Sequence, residues 1–201
     1  MALIKLNNRS VKDATAFGSI SSLGSLTFIS KQTASSSATI SFTSGIDSTY
    51  KEYIFYYVNC HPATDIVQFQ INFSTDGGSN YNVTKTNSHF YATHKENDTG
   101  TGVNYAGSYD LAQSTADMAI TDSIGNGADE SVSGYLHLFN PSSTTFVKHF
   151  ISRNNSYFFS DYSWDSYVAG YCNTTSAVDA VRFKMSSGNI DSGDIILFGL
   201  N

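Results

Sequence analysis

From Val67 to Phe73 apolar and polar side chains alternate without a break: Val67, Phe69, Ile71 and Phe73 against Gln68, Gln70 and Asn72. Successive side chains of an extended chain leave opposite faces, so this spacing buries one face and wets the other. A helix would scatter the same four apolar groups around its girth. The pattern recurs along the chain. Ile40 and Phe42 alternate with Thr39, Ser41 and Thr43, and Val181, Phe183 and Met185 with Arg182 and Lys184. Between Thr144 and Arg153, Phe146, Lys148, Phe150 and Ser152 oppose Thr145, Val147, His149 and Ile151. Aromatic and β-branched runs at Tyr50–Asn59, Tyr135–Phe139 and Asp194–Gly199 suit strands as well.

The breaks between runs are turn chemistry. Ser44-Gly45, Asp76-Gly77-Gly78-Ser79, Asn140-Pro141-Ser142 and Ser187-Gly188-Asn189 punctuate the sequence. Pro62 closes the Tyr50 run, because proline has no N–H for a ladder bond. Three segments read less regularly. Tyr81 to His94 suggests two short strands broken near Asn87. Residues 95–130 suggest a long loop, with one short helix over Tyr109–Thr121 that turns Leu111, Met118 and Ala119 inward. The aromatic stretch FFSDYSWDSY, inside Tyr157–Tyr171, reads as an exposed loop.

Nine or ten strands with at most one helix predict an all-β chain. Strands without crossover helices pair antiparallel. The expected architecture is an antiparallel β-sandwich following a jelly-roll or Greek-key path, with a closed barrel as the alternative. The sandwich is assigned to residues 24–201. Residues 1–23 read as a short N-terminal arm with an apolar cluster of Leu3, Ile4 and Leu6.

Composition narrows the function. The chain has 201 residues and a formal charge of -6, with 17 acidic against 11 basic side chains. A nucleic-acid binder needs a basic stripe to meet phosphate, and none is present in the sequence. Ser and Thr carry the polar load, 31 and 19 residues, while charged residues are only 14%. Strand edges short of Lys and Glu invite pairing with another chain, so a homo-oligomer or larger assembly is expected. No apolar run reaches the length of a spanning helix, so no membrane insertion is expected. The start MALIKLNNRS lacks a signal-peptide core, so if the protein ends up outside a cell a route other than secretion is expected to take it there.

Motifs for catalysis or cofactors do not emerge. There is no GxSxG elbow, HExxH, CxxC, EF-hand or GxGxxG pattern, so no enzyme activity, cofactor or metal is expected. Glu52, Glu96 and Glu130 are the only glutamates and form no evident acid–base pair. Loops at Asp76–Asn80 and Asn97–Thr99 hold oxygens of a kind calcium takes, but in ordinary turn patterns. Cys60 and Cys172 read as two buried thiols, with one long-range bridge between them as the alternative.

Aromatic residues make up 14% of the chain, and the tyrosines are too many for one core. Tyr and Trp bring large contact area at low entropic cost and gather at recognition surfaces. Stacking rings with Asp and Asn around them also suit sugars. The recognition residues this predicts are Tyr162, Trp164 and Tyr167, with Asp161 and Asp165 as their polar rim.

Four passages also carry a likeness: MALIKLNNRS, QTASSSATISFTSGIDSTYKEYIF, LHLFNPSSTTFVKHF and VRFKMSSGNIDSGDIILFGL. Through residues 1–94 and 131–200 the chain resembles small β-rich virion structural proteins of tailed double-stranded DNA phages that infect marine bacteria. The resemblance implies a non-enzymatic virion component whose partners are other virion proteins. Its place would be the capsid surface, as a decoration, cement, head-fibre or knob protein, or the tail. The alternative is a tail-associated module that binds a glycan or protein of the host surface. In either case Leu3, Ile4 and Leu6 would serve assembly.

Overall fold

A computed structural model describes residues 26–200. Leu3, Ile4, Leu6 and the arm assigned to residues 1–23 lie outside the described residues. Twelve strands follow in order: β1 Thr27–Ser37, β2 Ile40–Phe42, β3 Glu52–Pro62, β4 Phe69–Ser74, β5 Lys85–Lys95 and β6 Thr101–Tyr105, then β7 Met118–Ala119, β8 Val132–Phe139, β9 Lys148–Phe158, β10 Tyr162–Cys172, β11 Ala180–Met185 and β12 Ile190–Leu200. They form an eight-stranded sheet, β1-β12-β3-β8-β9-β10-β5-β6, and a four-stranded sheet, β2-β11-β4-β7. Every pairing is antiparallel.

The expected antiparallel β-sandwich is present. The chain crosses repeatedly between sheets, and β12 returns to lie between β1 and β3. The alternating segments behave as their spacing dictates. Val67, Phe69, Ile71 and Phe73 are buried, as are Val181, Phe183 and Met185 on the neighbouring strand. Phe69 stacks on Phe183 at 5.8 Å, and Phe55 and Tyr57 of the facing sheet meet the same ring at 5.6 and 6.0 Å. Each such side chain contributes about 1.5–3 kcal/mol by leaving water. Cys60 and Cys172 are free, buried thiols, and burial pushes both up to about 12.

Three sequence expectations need correction. No helix occurs among the described residues, and 109–121 holds only the two-residue strand β7. Met118 and Ala119 do point inward, but as an edge pairing with Gln70 and Ile71. The proposed break at Asn87 is absent, because β5 runs unbroken from Lys85 to Lys95. The aromatic stretch 157–171 is no loop: it forms the ends of β9 and β10 and the tight turn between them.

The interior is polar toward one end. Inward-facing Ser152, Asn154, Ser156, Ser166 and His89 lie on three neighbouring strands and are fully or almost fully buried. Tyr57 and Ser152 share a hydrogen bond at 3.0 Å, and Asn154 Nδ2 donates to the Ile120 carbonyl at 2.7 Å. Such bonds keep buried polar groups from destabilising the core.

Candidate functional site

The five predicted recognition residues separate once their strand is in place. In β10, residues 162 and 164 share the inner side, whereas 165 and 167 face out. Trp164 is only 7% exposed. Its ring lies between Tyr91 at 3.9 Å and Phe158 at 4.7 Å, both stacked, and its Nε1 donates to Ser166 Oγ at 3.2 Å. Both ring faces are covered, so Trp164 cannot serve as an open platform. Asp161 occupies the hairpin turn with φ of 66°, a conformation Asp tolerates, and accepts a hydrogen bond from Tyr157 OH at 3.2 Å. Tyr162 stands near the same end, with Lys95 Nζ 5.1 Å from its ring centre.

Asp165 and Tyr167 do lie on an open surface. The outer face of the large sheet carries a row of side chains in register across all eight strands: Lys31, Ile196, Tyr56, Tyr135, Arg153, Tyr167, Phe90 and Tyr105. At its centre the groups hold one another in place. Arg153 grips Asp165 with two bonds, Nη2 at 2.8 Å and Nε at 3.2 Å. Tyr167 OH donates to the same carboxylate at 3.0 Å, and the guanidinium sits 4.8 Å from the Tyr167 ring centre. Phe90 stacks flat on Tyr167 at 4.8 Å and an interplanar angle of 1°. A bidentate pair under a stacked ring loses little freedom when a ligand arrives.

In the next row toward the opposite end of the strands Ser88 and Ala169 are small and face each other, while Ile151 and His137 continue the row on β9 and β8. Beyond it stand Tyr171, His149 and Phe139. The low row between two high ones makes an open trough across β5, β10, β9 and β8. One part, about 610 Å³, is lined by Ser88, Phe139, His149, Ile151, Ala169, Gly170 and Tyr171 among others. The adjoining part, about 320 Å³, adds Phe90, Tyr135, Arg153 and Tyr167. Gly170 turns to the inner side beneath the trough, opposite buried Asn87 and Phe150, and a Cβ there would strike the Thr86 carbonyl and the Phe150 ring, so glycine lets β10 run this close to β5. Pockets of several hundred Å³ with a few fixed polar groups suit small ligands.

The chemistry available is stacking and hydrogen bonding. Among the described residues, those lining the trough include no carboxylate. Glu52, near the Phe139 end, is paired with His137 at 2.7 Å. Among the described residues no three His, Cys, Asp or Glu side chains converge to hold a metal ion. The Asp76 carboxylate serves its own turn, accepting from Ser74 Oγ at 2.6 Å and from Asn80 N and Nδ2 at 2.9 and 2.8 Å. Those bonds, Ser74's first, hold its pKa down to about 2.

Sequence reasoning missed Phe90, Tyr135, His149, Ala169 and Tyr171. Their signal was present as alternation within their own strands. Which face looks outward depends on the second sheet, and no single strand reveals that. No known protein family, curated protein or solved structure matches this chain.

Proposed function

We propose that the chain is a non-enzymatic virion protein of a tailed phage that binds a surface glycan along the outer face of its large sheet. The virion setting rests on the sequence likeness of residues 1–94 and 131–200. The binding role rests on one observation: an open trough whose floor is small at Ser88 and Ala169, between aromatic walls, with the neighbouring Arg153–Asp165–Tyr167 group already ordered. Pyranose rings stack on such walls through their C–H faces, and their hydroxyls meet His149 and the tyrosine and serine hydroxyls. Among the described residues the trough holds no carboxylate pair of the kind glycosidic cleavage uses, which supports retention of the sugar as the role.

The test uses purified host-cell surface polysaccharide and the intact protein. Binding is expected, with loss of at least tenfold in affinity for Tyr167→Ala and for Tyr171→Ala at unchanged melting temperature, about 1.4 kcal/mol each. Equal binding by the three proteins, or none by any, counts against the proposal.

A second reading is assembly through the same face. It is favoured by the breadth of the aromatic row, which reaches from β1 to Tyr105 on the opposite edge strand. Phe28 is 60% exposed at one edge and Val103 73% at the other. A stable dimer needs roughly 800 Å² per partner, an area a sheet face of eight strands can offer. Solution mass separates the readings: a monomer that binds polysaccharide supports the first, and an oligomer that hides the face supports the second.

A further inference from the structure

Lys85 is the first residue of β5 and is fully buried. Its ammonium nitrogen has no carboxylate in hydrogen-bond reach among the described residues. Nζ instead lies 2.8 Å from Asn72 Oδ1 and 3.2 Å from the Val83 carbonyl. A buried cation with only neutral acceptors is costly, and burial favours the free amine. Asn72, on β4 of the other sheet, is 2% exposed. The orientation of its amide is fixed on both sides. Oδ1 also accepts the Phe73 N–H at 2.9 Å, while Nδ2 donates to Asp117 Oδ1 at 2.9 Å and to the Thr115 carbonyl at 3.2 Å. Arg182 at 2.7 Å and Lys184 at 3.7 Å hold the Asp117 carboxylate.

We propose that Lys85 and Asn72 condense without any cofactor into an isopeptide bond that joins the two sheets, with Asp117 carrying the proton. A nucleophile, an amide carbon, a donor for the developing oxyanion and a proton carrier at the leaving nitrogen are the parts acyl transfer needs. Neutral Lys85 Nζ attacks Asn72 Cγ, and the carbonyl electron pair moves onto Oδ1, where the Phe73 N–H stabilises it. In the tetrahedral adduct Nζ and Nδ2 are bound to the same carbon, which brings the Nζ proton beside the Asp117 carboxylate that already accepts from Nδ2; the proton passes to that carboxylate and from there to Nδ2. The Cγ–Nδ2 bond breaks as the carbonyl re-forms, the nitrogen leaves as ammonia, and Asp117 is again a carboxylate. One C–N bond forms and one breaks, with no change of oxidation state. Contact held by the fold replaces the chance encounter that makes this reaction negligible between free side chains.

The ionisation of Lys85 supports this course. Burial lowers its pKa to about 8, against the pull of Cys172 and Asp117, with Arg182 adding to the fall. Among the described residues those three are the titratable groups that act on it, and the reaction should quicken as pH rises through that value.

The test is intact mass of the full chain, then peptide mapping, after storage at about pH 9, where Lys85 is mostly the free amine. Wild type is expected to lose the mass of one ammonia and to yield a branched peptide linking Lys85 to Asn72. Lys85→Arg and Asp117→Asn are expected to keep the full mass of their sequences. Lys85→Arg checks the nucleophile even where Asp117→Asn does not fold. Wild type at full mass overturns the proposal. So does an ammonia loss without the branched peptide, which marks ring closure at Asn72 alone, or the same loss in Lys85→Arg.

Discussion

His89 faces the space between the sheets, 5.7 Å from the Tyr109 ring, and neither ring nitrogen has a hydrogen-bond partner among the described residues. Burial pushes its pKa down to about 4, with Asp122 and Asp110 pulling weakly the other way. The unfolded chain releases its proton near pH 6.5, so it binds protons before the folded chain does as pH falls. The contribution of the neutral ring is therefore complete above about pH 6.5, falls between there and pH 4, and is gone below. The loss is roughly 3 kcal/mol. Urea unfolding should show wild type losing about that much more stability between neutral and acid pH than His89→Phe; parallel pH profiles would contradict it. Trp164 makes a related point. Between Tyr91 and Phe158 it packs rather than recognises, so Trp164→Ala should cost about 3–5 kcal/mol of stability. Trp164→Phe, which keeps a stacked ring, should bind polysaccharide as wild type does.

At the level of strands, alternation locates an element but does not say which face is wet. Trp164 and Tyr167 are three residues apart, an odd number, so in any strand they leave opposite faces. Read as a loop, FFSDYSWDSY put them on one surface; read as a strand, it divides them. Asp165 and Tyr167 were therefore legible as surface residues, and Trp164 was not a partner for them. The segment 106–124 escaped prediction for a different reason. Its backbone is tied to distant chain, with Ala106 N donating to His89 O, Asn87 N to Leu111 O, and Val67 and Ile124 exchanging bonds. Local spacing holds no trace of such ties, and Leu111, Met118 and Ala119 merely resembled a helical face. The trough belongs to this scale too, since its floor depends on β10 approaching β5 at Gly170. Gly170→Val should push these strands apart, lower the melting temperature by several degrees and abolish binding. Ala169→Ser, which points outward at the same depth, should leave the melting temperature unchanged. Thermal melts of both variants check this.

For the whole molecule, the division of labour lies between two faces of one sheet. Leucine, isoleucine and phenylalanine from both sheets fill the inner side, and tyrosine, histidine and arginine occupy the outer one. That outer face explains why the sequence carries more tyrosine than one core can hold. Charge is sparse at the open edges, where β6 has none and β1 has only Lys31. Edges of that kind favour contact with another chain. Val103→Lys, on β6, should leave folding intact and reduce any concentration-dependent mass seen in sedimentation; an unchanged mass distribution would place self-association elsewhere.

The most direct measurement is hydrogen exchange of the intact protein with and without purified host surface polysaccharide. Protection is expected in residues 86–90, 149–153 and 165–171, the strands that form the trough. Protection confined to the opposite sheet, or to a separate hollow lined by His61, Asp129, Glu130 and Asp191, would contradict the assignment of the outer face as the binding surface.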